Sequence, residues 1–173
     1  WWAPQKRMVV VPKYYKMHKS MRNIFNRGEF DVTFNKDFYQ VITTCKNIYR
    51  KDQQGTWISD EIVEAYTKLY EMGLARSVEV WQNKKLVGGL YGVDIGNGIF
   101  CGESMFSKVS NASKVAFYAL LQDLKEKNYL LLDCQVYNEH LESLGAYEIL
   151  RSEYMKYLLQ GNILLRIKKM KAL

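Results

Sequence analysis

The apolar positions of this chain follow two different periods. After Asn35, a candidate N-cap, Phe38, Val41, Ile42, Cys45, Ile48 and Tyr49 recur at helical spacing, and after Ser59 or Asp60 so do Ile62, Val63, Tyr66, Leu69 and Tyr70. The first set predicts a helix opening at Asn35. The second predicts a helix ending at Glu71, with Gly73 as the residue just past its end. From Ser77 the pattern becomes extended, and segments 77–81, 86–95 and 99–106 read as strands of an antiparallel meander. The turns between them are Gln82-Asn83-Lys84 and Gly96-Asn97-Gly98. A helix over 111–127, a short strand over 129–135, a helix near His140 to Leu144 and a last helix over 152–160 complete the pattern. Helices, then a meander, then helix, strand and helix describe a mixed α+β chain with a central sheet. No internal repeat and no Gly/Pro/Ser linker interrupts it, so one compact unit is expected.

Composition changes this picture little, and charge changes it more. With 48% apolar and 25% charged residues over 173 positions, the chain has globular proportions that exclude disorder, collagen, coiled coil and disulfide scaffold. Its net charge of +7 is unevenly placed. Residues 1–50 carry ten basic and three acidic side chains, and the remainder is balanced. A basic segment is an electrostatic footprint for phosphate, because cations near a polyanion release condensed counterions. The alternative is a solvated basic face.

Cys45, Cys101 and Cys134 are odd in number and far apart, which leaves neither a disulfide framework nor a CxxC site and points to a reducing, cytoplasmic setting. No apolar run approaches the ~18 residues that span a bilayer, and no signal-peptide layout opens the chain. The first residues are Trp1-Trp2 rather than Met, as expected of a fragment or a processed form. With only His18 and His140 available, a His-rich metal site is excluded, and neither histidine has the partners of a catalytic triad. GxSxG, P-loop and GxGxxG motifs are absent from the sequence.

The unusual residues are polar groups on strands. Alternation puts Glu103 on the face of Ile99, Cys101 and Met105, which predicts a carboxylate among apolar neighbours. In Leu130-Leu-Leu-Asp-Cys-Gln135 it sends Asp133 and Gln135 to one face, where they could line a cleft together. A salt bridge for Glu103 and a capped strand end for Asp133 and Gln135 are the plainer readings.

At these residues the chain resembles the bacterial leucyl/phenylalanyl-tRNA–protein transferases. The motifs are Trp1-Trp2-Ala3-Pro4, Gly55-Thr-Trp-Ile58, Glu64-Ala-Tyr66, Ser77-Val-Glu-Val-Trp81, Leu86-Val-Gly-Gly-Leu-Tyr-Gly92, Phe100-Cys-Gly-Glu-Ser-Met-Phe-Ser107, Asn111-Ala-Ser-Lys114, Asp133-Cys-Gln135 and Ser143-Leu-Gly-Ala146. They stand in family order over essentially the whole chain.

The resemblance implies an acetyltransferase (GNAT)-like catalytic domain over 35–173, with a mostly antiparallel central sheet. Residues 1–34 would then be the remnant of a family N-terminal domain. It implies transfer of Leu or Phe, with Met as a further candidate, from aminoacyl-tRNA to the α-amine of proteins beginning with Arg or Lys. The product is marked for N-end rule degradation. No cofactor, neither coenzyme A nor metal, is implied, and the expected state is a monomer without membrane attachment. Carried over by motif, Asp133 and Gln135 position the acceptor amine. Glu103 and Met105 belong to the aminoacyl pocket, Met105, Phe117, Leu120 and Leu124 receive the Leu or Phe side chain, and Trp57 lies near the terminal adenosine of the tRNA. Lys13, Lys16, Lys19 and Arg22 fall in the family's basic tRNA-contacting region, where Lys19-Ser-Met-Arg22 matches best.

The residues agree with several of these roles. Phe117, Leu120 and Leu124 share one helical face, as a pocket wall would or as ordinary core would. Apolar walls discriminate a methyl group by only ~1–3 kcal/mol, so selection between amino acids should be graded. An ester to tRNA is already activated, and an α-amine of pKa about 7.7–8.0 is substantially neutral near pH 7.5, so orientation can replace a strong base. Gln135 would orient the amine through its carbonyl oxygen. Asp133 could hold Gln135, attract the ammonium group or take its proton.

The family's Arg-Gly-x-Phe-Pro-Trp type segment does not precede Trp1-Trp2 here, and 166–171 reads as a basic tail. The rival readings are a coenzyme-A N-acetyltransferase of the same fold and a non-catalytic tRNA-binding module. Against the first, no pyrophosphate loop precedes the helix at Asn111.

Overall fold

The computed structural model describes residues 4–49 and 55–171, with 162–171 as backbone alone. Along the chain run β1 (Lys6–Val10), a 3-10 turn (Pro12–Tyr14), α1 (Lys19–Asn26), β2 (Asp31–Phe34), α2 (Phe38–Asn47), α3 (Asp60–Glu71), β3 (Ala75–Gln82), β4 (Lys85–Asp94), β5 (Ile99–Ser107), α4 (Ala112–Glu126), β6 (Leu131–Gln135), α5 (Glu139–Ser143), β7 (Tyr147–Leu150) and α6 (Arg151–Lys171). The fold is α+β, with seven strands and flanking helices among the described residues.

The residues fall into two compact units. The first holds the described residues up to Lys16, Asp94–Gly102 and the chain from Leu121, and the second holds Met17–Val93 and Glu103–Leu120. The chain passes between them after Lys16, at the end of β4, inside β5 and inside α4, so the boundary leaves no linker composition to read.

In the second unit the strand order is β2-β3-β4-β5, with β2–β3 and β3–β4 antiparallel. The β3–β4 connection is a two-residue hairpin turn in which Asn83 and Lys84 both have positive φ, 52° and 62°, the conformation that suits the twist of the flanking strands. Helix α3 follows the sequence closely. Ser59 caps it by accepting from the Ile62 N–H, and Gly73 at φ 74° closes it as its N–H reaches the Tyr70 carbonyl and the Leu74 N–H reaches Leu69. Helix α2 begins later than expected. Its cap is Asp37, which accepts from the Gln40 N–H, while Asn35 lies at φ 56° and accepts from the Ser77 N–H. Around Val41, Ile42 and Phe38 these helices build a core with Tyr91, Ile58 and Phe106, the Phe38 ring stacking on Tyr70 at 4.7 Å. Gly88 lets α4 approach β4: a Cβ there would lie 2.5 Å from the Ala112 Cβ.

In the first unit the order is β5-β6-β1-β7. Strands β5 and β6 are parallel, and β1 is inserted between β6 and β7, antiparallel to both. Val9, Val11, Ile99, Leu131 and Ile149 form its core, against which Tyr154, Tyr157 and Leu158 of α6 pack. Strands β1, β2 and β7 and helix α1 were not evident in the apolar pattern, and α6 continues to Lys171 beyond the expected end at residue 160. Gly161 does not stop it, since an interior glycine costs a helix only about 1 kcal/mol and no proline follows. Among the described residues no helix is long and apolar enough to cross a membrane.

Candidate active site

Asp133 lies on β6 and is fully buried, 0% exposed. A buried carboxylate is tolerated only when its oxygens are satisfied, and five donor atoms converge on this one. Oδ1 accepts from the Arg7 Nε at 2.9 Å and from the Gln135 backbone N–H at 2.8 Å. Oδ2 accepts from the Arg7 Nη2 at 2.8 Å and from the Tyr154 hydroxyl at 2.9 Å. Arg7 is delivered by β1, whose Val9 pairs with Asp133 across the ladder, and Tyr154 by the first turns of α6. The Arg7 guanidinium also stands over the Tyr154 ring, 5.4 Å from its centroid. The Cys101 Sγ is 3.8 Å from Oδ2.

Electrostatics follow this geometry. Burial acts to lower the pKa of Arg7, but the hydrogen bonds and charge of Asp133 outweigh it and the net shift is upward. Burial, then the Asp133 charge and hydrogen bond, push the Tyr154 phenol up, so it remains a donor at neutral pH. Burial and the same carboxylate push the Cys134 thiol up, which keeps it from acting as a thiolate.

Gln135 closes β6 at φ 70°, a left-handed backbone that non-glycine residues seldom adopt. Its backbone N–H is held by Asp133 and its Nε2 donates to the Gly102 carbonyl at 2.9 Å. The amide end that accepts hydrogen bonds is therefore fixed in direction. Of the sequence candidates, Asp133 and Gln135 are brought together in this way. Arg7 and Tyr154 were not among them: Arg7 sits on a five-residue strand with no local signature, and Tyr154 on a helix whose apolar and polar positions look ordinary.

The other candidates are placed separately. Glu103 and Met105 lie half-buried on β5. A fully buried carboxylate that the sequence reading did not single out is Glu79 on β3, 0% exposed, which accepts from the Ser77 and Thr33 hydroxyls and from the Lys36 and Asp37 N–H groups. Phe117, Leu120 and Leu124 follow one face of α4 and are buried, at 2%, 2% and 0% exposure. Trp57 is 48% exposed. Lys13, Lys16, Lys19 and Arg22 are all exposed. Lys19 and Arg22 share a face in the first turn of α1, which contains no acidic residue. Helix α1 is held at its start by the His18 N–H donating to the Tyr118 hydroxyl at 3.1 Å and further along by Phe25 packed edge-on against Tyr118. Trp1, Trp2 and Ala3 lie outside the described residues.

By its fold the chain is an α+β protein similar to the structure of L-PGS from Bacillus licheniformis, with a TM-score of 0.54 at 15% identity over 75% of this chain and 45% of that one. Sequence carries the comparison further. The model of the leucyl/phenylalanyl-tRNA protein transferase family matches residues 9–159. Proteins named leucyl/phenylalanyl-tRNA–protein transferase are 60% identical in Flavobacterium johnsoniae and 56% identical in Flavobacterium psychrophilum, each over 91% of this chain and 74% of the relative. The chain belongs to the leucyl/phenylalanyl-tRNA–protein transferase family, and is an enzyme of the transferase class.

Proposed function

We propose that this chain transfers Leu or Phe from aminoacyl-tRNA to the α-amine of proteins beginning with Arg or Lys, in the cytoplasm and as a monomer, and so marks them for N-end rule degradation. The observation that carries the reading is the Asp133-Cys-Gln135 strand end. It lies inside the family match and holds Gln135 by two hydrogen bonds, its backbone N–H to Asp133 and its side-chain Nε2 to the Gly102 carbonyl. The finer fold reading is GNAT-like, supported by a parallel β5–β6 pair joined through α4 beside antiparallel pairings elsewhere.

The chemistry is ester aminolysis. The neutral amine nitrogen bonds to the ester carbonyl carbon, the bond from that carbon to the ribose oxygen breaks, and the proton lost by nitrogen ends on the ribose oxygen. Gln135 accepts a hydrogen bond from the amine through its carbonyl oxygen and directs the nitrogen lone pair. Met105, Phe117, Leu120 and Leu124 are assigned to the aminoacyl side chain, Glu103 to the aminoacyl group and Trp57 to the terminal adenosine. No coenzyme takes part.

Incubating the protein with labelled Leu-tRNA and a peptide beginning with Arg, beside a labelled acetyl-CoA control, tests the reading. Label moving from tRNA to the peptide supports it. Label from acetyl-CoA, or tRNA binding without transfer, overturns it.

Lys13, Lys16, Lys19 and Arg22 are assigned to tRNA phosphates, as their exposure allows. Replacing Lys19 and Arg22 by Ala is expected to weaken tRNA binding and to flatten its dependence on log salt by about two at most. Binding titrations at several salt concentrations measure this slope, and an unchanged slope makes α1 an ordinary solvated face.

A further inference from the structure

We propose that Arg7 and Tyr154 are positioning residues for the transfer, which act through the buried Asp133 carboxylate on the backbone of Gln135, and that Asp133 itself takes no proton. The inference rests on the aminoacyl-transfer reading of the Asp133-Cys-Gln135 strand end. A carboxylate has about four lone-pair sites, and here Oδ1 already receives two donors and Oδ2 four, the Arg7 Nε at 3.1 Å and the Cys101 thiol among them. With 0% exposure there is also no path by which an amine could meet it without displacing one of them. Of the three roles open to Asp133, holding Gln135 is the one its geometry serves.

What is held is a strained residue. A non-glycine backbone in the left-handed region persists only where its surroundings over-determine it. At Gln135 the determinants include the N–H to Asp133 at one end and the side-chain amide to Gly102 at the other. Arg7 and Tyr154 grip Asp133 from β1 and α6, so the direction of the Gln135 carbonyl depends on residues far from it in sequence. The acceptor amine then reacts from its own neutral form, and its proton goes to the leaving ribose oxygen.

Tyr154→Phe tests this with little change of shape. Its kcat is expected to fall about ten- to a hundredfold, the range for losing one hydrogen bond to a charged group, with KM for Leu-tRNA unchanged. The acidic limb of the pH–rate profile should stay where the acceptor amine puts it. In an Asp133→Asn background the same change should add less than about twofold, because both act along one path. Arg7→Lys, which keeps the charge but loses the fork, should fall between Tyr154→Phe and the parent. Independently of activity, hydrogen exchange of the Gln135 amide in the full chain should speed up at least about tenfold in Tyr154→Phe, with Leu132 unaffected.

Unchanged exchange at Gln135, or kcat within about twofold of the parent, overturns the proposal. So does an acidic limb that moves with Tyr154→Phe, since Asp133 would then be titrating in the reaction. If the parent moves no amino acid from tRNA, the transfer reading fails, while the Gln135 exchange rate still decides whether Arg7 and Tyr154 hold that residue.

Discussion

Asp133→Asn is expected to lose about 3–5 kcal/mol of stability, the cost of breaking one side of a buried ion pair. The reason lies in how the donors are shared. Arg7 Nε and the Gln135 N–H face one oxygen, and Arg7 Nη2 and the Tyr154 hydroxyl face the other. An asparagine amide must turn its NH₂ toward one of these pairs, and either choice sets donor against donor beside an uncompensated guanidinium. At about 2–4 °C per kcal/mol for a chain of this length, the thermal midpoint should fall by about 6–20 °C. Turnover at a temperature where the variant is folded should fall on the order of a hundredfold, as expected when a reacting group is held slightly out of place. Binding of Leu-tRNA should change far less. Circular dichroism melts and steady-state kinetics read both effects, and parental turnover in a folded variant would remove Asp133 from the mechanism.

Glu79→Ala is the second large effect, and it bears on the fold alone. Thr33 lies directly across the β2–β3 ladder from Glu79, and its hydroxyl donates to the carboxylate at 2.7 Å while accepting the Trp81 Nε1–H at 2.8 Å. The Ser77 hydroxyl at 2.5 Å and the Lys36 and Asp37 N–H groups at 3.2 and 3.4 Å complete the set. One carboxylate therefore ties β2, β3 and the start of α2. Its removal strands buried donors at about 1–3 kcal/mol each, for a total of at least about 3 kcal/mol. Glu79→Gln should be milder, because the two hydroxyls can rotate to accept from its NH₂ whereas the two backbone N–H groups cannot. Urea unfolding should rank parent, Gln and Ala in that order, and an Ala variant as resistant as the parent would contradict this role.

Legibility in the sequence depended on whether a residue's surroundings are local. Helix α3 was readable from Ser59 to Gly73 because its caps and apolar face lie within one stretch. The β3–β4 hairpin was readable for the same reason. Strands β1, β2 and β7, of four or five residues, are too short to show a period, and their partners lie elsewhere in the chain. Alternation did not single out the buried Glu79 because it separates faces only when one of them is wet. On β3, Ser77, Val78, Glu79 and Val80 are all buried, so both faces are covered and the pattern carries no sign. At the site, Asp133 and Gln135 were visible as polar residues on an apolar strand. The arginine and tyrosine that fix them were not, because their connection to β6 exists only after folding.

The position of β1 between β6 and β7 sets an order of events during synthesis. Arg7 and Asp133 are 126 residues apart, so at 5–20 residues per second roughly 6–25 s separate their appearance on the ribosome. Through that interval the apolar run Met8-Val9-Val10-Val11 has neither of its neighbours, and it is flanked by two cations, Lys6 and Arg7, the kind of charge that opposes edge-to-edge pairing. Arg7 thus stands first as a charge at the end of an unpaired apolar strand and becomes the counter-ion of Asp133 only when β6 arrives.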